Sequence, residues 1–84
     1  MTDEEFEVLD ELYFVTHYKE LQLSLDLDAE SLKSLIISLW NKGWLRCYQG
    51  VDNELDRDTV DFENQFNKYH YLASKEGLMA HNRR

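Results

Sequence analysis

Between His17 and Leu45 the chain reads HYKELQLSLDLDAESLKSLIISLWNKGWL, two apolar-periodic segments parted by Asp26-Leu27-Asp28 and closed by Lys42-Gly43. Leu21 and Leu25 share one helical face, and Leu32, Leu35, Ile36 and Leu39 share another. Asp28 stands where an N-cap accepts a backbone amide, and Gly43 where a left-handed residue ends a helix. Two short helices joined by so tight a turn have to cross at their leucines. Every other element must be arranged around that crossing.

The segment ahead of it predicts a first helix starting near residue 3. Thr2 and Glu5 have capping-box spacing, and Asp3, Glu4, Glu5 and Glu7 lie where the helix dipole favours carboxylates. Phe6, Leu9 and Tyr13 form one stripe, and Val8, Leu12 and Val15 a second beside it. An arc that wide implies two contacts, the second with the C-terminal segment or with another copy of the chain. Thr16 is expected to cap the second helix, running to about Leu25, and Asp28 the third, from Ala29 to about Lys42. Bulky residues 44–48 and 68–73 predict two strands, and Ser74 opens a last helical turn, SKEGLMAHN. The acidic stretch between the strands, QGVDNELDRDTVDFENQFN, is too long for a tight hairpin turn. Within it Phe62 and Phe66, four apart behind Asp58 as a cap, predict a short helix or an ordered loop.

With 84 residues the chain is expected to form one domain, 1–84. A chain of that size buries only about 60% of its unfolded surface, enough for one small core. Hydrophobic residues at 43% suffice to fill it despite a net charge of −8. Seventeen acidic residues against nine basic ones disfavour nucleic-acid phosphates and anionic lipid headgroups, leaving basic or uncharged protein surfaces as the electrostatically easy partners. No apolar run approaches a bilayer span, and MTDEEFE lacks the positive start of a signal peptide. A cytoplasmic location is therefore expected, and the lone Cys47 fits a reducing compartment.

The predicted order is helix, helix, turn, helix, strand, long loop, strand and C-terminal helix. It resembles a winged helix-turn-helix domain of the kind found in bacterial transcriptional regulators. The residues that carry the resemblance are Tyr18-Lys19-Glu20-Leu21, Leu25, Leu27, Leu32, Leu35, Leu39 and Lys42-Gly43, with Tyr71 to Leu78 as the exit from the wing. The resemblance implies an α+β, mostly helical fold: a three-helix core, a two-stranded β-hairpin wing with a long acidic loop over 50–67, and a short C-terminal helix. It also implies that Ala29 to Lys42 takes the place of a recognition helix. In a DNA-binding regulator of that family, Lys19, Lys33, Ser34 and Lys42 would contact the duplex. The chain departs from that pattern in its charges. Asp26 replaces the usual turn glycine, Asp28 and Glu30 sit at the helix N-terminus, and in the wing Asp52, Glu54, Asp56, Asp58, Asp61 and Glu63 face one Arg57.

Helical projection puts Leu23 and Ile37 on the outer surface of the helix pair, with Trp40 on its flank. Either the wing or the first helix covers them, or they form a protein-interaction patch rimmed by acids. The charge and the patch together predict a non-catalytic regulatory domain that binds a protein partner or itself, with no cofactor. Asp52, Glu54, Asp56 and Glu63 echo calcium-loop spacing, but Arg57 holds the position of the turn glycine. His17, His70 and His81 have no shared spacing and are expected at the surface, and Cys47 in the core, the alternative being a redox thiol beside Arg46.

Overall fold

A computed structural model describes residues 1–83 of the chain as an α+β fold. Its elements are α1 (Asp3–Asp10), β1 (Thr16–His17), α2 (Tyr18–Leu25), α3 (Ala29–Asn41), β2 (Leu45–Gln49), β3 (Asn53–Leu55), α4 (Phe62–Gln65), a 3-10 turn (Phe66–Lys68), β4 (His70–Ala73) and α5 (Lys75–Asn82). The four strands make one antiparallel sheet in the order β1-β4-β2-β3.

Local chemistry sets the helix ends. Thr2 and Glu5 form the full capping box at α1, the side chain of each accepting the other's amide at 3.0 and 2.9 Å. Asp28 caps α3 by accepting from Ser31 N at 3.2 Å. Asp26 ends α2 in the left-handed region at φ 53°, which aspartate tolerates better than most residues. Gly43 does the same after α3 at φ 78°.

The leucine crossing forms the centre of the core. Leu21, Leu32, Ile36 and Leu39 are fully buried, together with Val8, Leu9 and Leu12 from the N-terminal segment and Cys47 and Tyr71 from the sheet. Each side chain of that class contributes roughly 1.5–3 kcal/mol on burial. β4 runs beside β2 with Leu45 opposite Ala73 and Tyr48 opposite His70, so the two predicted strands do pair.

Several expectations need correction. Thr16 does not cap α2: it lies in the two-residue strand β1, opposite Tyr71, and His17 Nδ1 is the cap, accepting from Lys19 N at 3.0 Å. The sheet is not a two-stranded wing. After a tight turn at Gly50, φ 78°, residues 53–55 return as β3 along the far edge of β2, so the acidic stretch does begin with a short hairpin. Asp61, not Asp58, caps α4, accepting from Asn64 N at 3.2 Å. Phe6 and Tyr13 of the first stripe meet the C-terminal helix through His81, while Val8 and Leu12 of the second are buried in the core and the Leu12 carbonyl accepts from Ala73 N at 2.9 Å.

That meeting also corrects the histidines. His81 on α5 stacks on Phe6 at 4.2 Å, its Nδ1 lies 2.9 Å from the Tyr13 hydroxyl and its Nε2 3.2 Å from Asp10, leaving 10% of its side chain exposed. His17 and His70 face each other across β1 and β4 with ring centroids 4.9 Å apart. None of the three stands alone at the surface.

The outer face of α3 as a candidate interaction surface

α3 has one buried stripe and one that reaches solvent. Leu32, Ile36 and Leu39 are spent in the core, which leaves Glu30, Ser34, Ile37, Ser38 and Asn41 on the other side at helical spacing. Ser34, Ile37, Ser38, Asn41 and Lys42 line a shallow open groove of about 520 Å³. A second hollow, lined by Glu4, Glu30, Ser31, Ser34 and Leu35, adjoins it through Ser34. Together they run along the helix.

The walls explain why the face is not cationic. On one side Glu5 of α1 is 3% exposed and accepts from Thr2 N at 2.9 Å, Ser38 Oγ at 3.1 Å and Lys42 Nζ at 2.6 Å. Burial alone would raise its pKa; the lysine, the Thr2 amide and the serine more than offset that and hold it at about 2. The same lysine lies 4.9 Å over the Trp44 ring. On the other side Lys33 Nζ meets Glu63 of α4 at 3.2 Å and lies 5.2 Å over the Phe66 ring, with 16% of its side chain exposed. Both ammonium groups that α3 would bring to a phosphate are already matched by carboxylates and packed on aromatic rings.

The residues singled out from the sequence separate accordingly. Leu23 is 81% exposed, on the outer side of α2. Ile37 is half-buried in the groove. Trp40 is half-buried and lies edge-on to Phe62 of α4 at 5.4 Å, so the acidic stretch covers part of it. Of the residues placed on the duplex by the family resemblance, Ser34 and Lys42 line the groove, Lys33 is clamped by Glu63, and Lys19 is exposed at the start of α2. Comparisons with known families, curated proteins and solved structures returned no match for this chain.

The other chemistry dissolves into local structure. Glu54 is held bidentately by Arg46 at 2.6 and 2.9 Å, which keeps its pKa low. Asp56 Oδ1 accepts from Asp58 N and Thr59 N at 3.0 and 3.1 Å within its own turn. With Glu63 given to Lys33, the calcium-like spacing gathers no site, and no three His, Cys, Asp or Glu side chains among the described residues could hold a metal. Cys47 is fully buried, and burial pushes its pKa up to about 12. No helix among the described residues is long and apolar enough to cross a membrane.

Sequence reasoning missed Glu4, Glu5 and Ser38 as parts of this surface. The Glu5–Ser38 and Glu5–Lys42 contacts span 33 and 37 residues, and Lys33–Glu63 spans 30. Periodicity identified the faces but carries no signal for ion pairs at that range.

Proposed function

We propose that the chain is a winged-helix domain whose outer α3 face binds protein rather than duplex DNA, without catalysis. The helix pair turned at Asp26, the strands β2 and β4 flanking an acidic segment, and the closing α5 support the winged-helix reading. One observation carries the choice of ligand: Lys33 and Lys42 are each paired with a carboxylate, Glu63 and Glu5. A phosphate approaching α3 would meet a carboxylate already beside each lysine, which cancels much of the attraction, and phosphate contacts supply nearly all non-specific DNA affinity. What α3 offers instead is a half-buried isoleucine among small polar side chains with acids around it, the anatomy of a modest protein interface.

The test is a DNA shift assay at about 50 and about 200 mM salt, a range over which a phosphate-gripping protein loses several decades of affinity. Molar mass is measured on the same sample. No salt-sensitive shift is expected, and Ile37→Asp should weaken association with partner or self while the fold survives. Tight binding that collapses with salt would assign the chain to the DNA-binding regulators instead.

A further inference from the structure

The trough along α3 also has a defined chemical character, and an inference about its occupant rests on the protein-binding reading above. Its floor is Ser34, Ile37, Ser38 and Asn41, small or short side chains around one aliphatic group, so another backbone can come close and seat an apolar residue against Ile37. It runs along a helix of 13 residues, a length of about 20 Å, which suits a few helical turns of a partner rather than a flat surface. Glu4 and Glu30 line its hollow nearest the α3 N-terminus, and neither is in an ion pair among the described residues. Across α3, Glu63 holds Lys33, so that pair adds no net charge. At the far end Lys42 adds no net charge, because Glu5 neutralises it. Among the described residues the rim is therefore anionic at Glu4 and Glu30, and its two lysines are matched.

A second copy of the chain would bring its own net charge of −8 to that rim, and like charges facing each other across an interface cost several kcal/mol. We propose that the trough receives a short amphipathic helix of a partner protein, with its apolar stripe on Ile37 and its Lys or Arg flanks on Glu4 and Glu30. Apolar contact supplies the anchor; the charges set approach and orientation.

The probe is a fluorescein-labelled peptide of about 16 residues, some four helical turns, built from Leu and Lys in an amphipathic pattern. Anisotropy titrations compare the full chain with E4Q/E30Q, with I37S, and with D52N/D58N, which removes the same two charges from the acidic segment. Circular dichroism melting confirms that each variant is folded. We expect E4Q/E30Q to weaken binding about fivefold and to flatten its salt dependence, a rim-charge effect. I37S should weaken binding about tenfold, as loss of an anchor does, and D52N/D58N should change it less than twofold. Equal losses in the two charge variants, an unchanged I37S, or no binding by the wild-type chain would each overturn the assignment. Those outcomes leave the protein-binding reading standing; only salt-sensitive duplex binding removes that.

Discussion

Replacing Glu5 by glutamine tests the contact that most shapes the α3 face. The carboxylate titrates at about 2 in the fold against an ordinary 4.5, because Lys42, the Thr2 amide and Ser38 together outweigh the cost of burial. Taken at face value, that difference contributes about 3 kcal/mol at neutral pH. Lys42 keeps 40% of its side chain in water, and solvent screening reduces the figure to about 1–2 kcal/mol. Glutamine can still accept from Thr2 N, so the helix cap survives and the loss reports the contacts of the other oxygen with Lys42 and Ser38. A depressed carboxyl stabilises above its unfolded value, and the contribution fades as pH falls from about 4.5 towards 2. Urea unfolding of wild type and E5Q at pH 7, 5 and 3 should give a difference of about 1–2 kcal/mol at pH 7 that has shrunk clearly by pH 3. A difference that is absent at pH 7, or undiminished at pH 3, would refute the reasoning. E5Q also frees the Lys42 ammonium, and if α3 is not a DNA reader the variant still fails to shift a duplex.

Three further outcomes follow from the packing. Gly77→Ala should lower the melting temperature although alanine favours helices, because its Cβ would lie 2.2 Å from the Trp44 carbonyl oxygen; thermal melting should show a loss of about 2 kcal/mol or more, at the level of other overpacked sites. Burial, then the neighbouring His17, lowers the His70 pKa, with Glu20 opposing. A histidine depressed in the fold stabilises fully above about 6.5 and loses that contribution as pH falls below it, so His70→Phe should flatten the stability profile between pH 7 and 5 in chemical denaturation. Cys47, with its pKa pushed up to about 12 by burial, should react with a thiol reagent only when urea unfolds the chain; rapid labelling of the native protein would contradict its place in the core.

The parts of the fold legible in the sequence are those governed by neighbours a few residues apart. The capping box at Thr2, the Asp28 cap, the left-handed turn at Asp26, the Gly43 corner and the inward Leu21, Leu32, Ile36 and Leu39 are all short-range patterns, and each stands where expected, while Leu25 and Leu35 are only partly buried at the edge of the core. β1 was illegible because a strand of two residues has no period to read, and Thr16 has the side chain of a good cap. β3 was hidden because Asn53-Glu54-Leu55 has little strand propensity; its place is fixed by the turn at Gly50 and by Arg46 gripping Glu54. His81 illustrates the same limit, since its partners Asp10 and Tyr13 lie 71 and 68 residues away. On the candidate surface, periodicity placed Ile37 outward, but whether the lysines beside it were available depended on contacts across the fold.

The two outermost strands, β1 and β3, contain two and three residues, and one leads at once into α2 while the other carries the clamped Glu54. A neighbouring molecule meeting either margin would find too few unsatisfied amides to template on, and at β3 a carboxylate already in the way. Concentrated solutions of this protein should accordingly resist growth into cross-β aggregates, and any oligomers it forms should be held through helices.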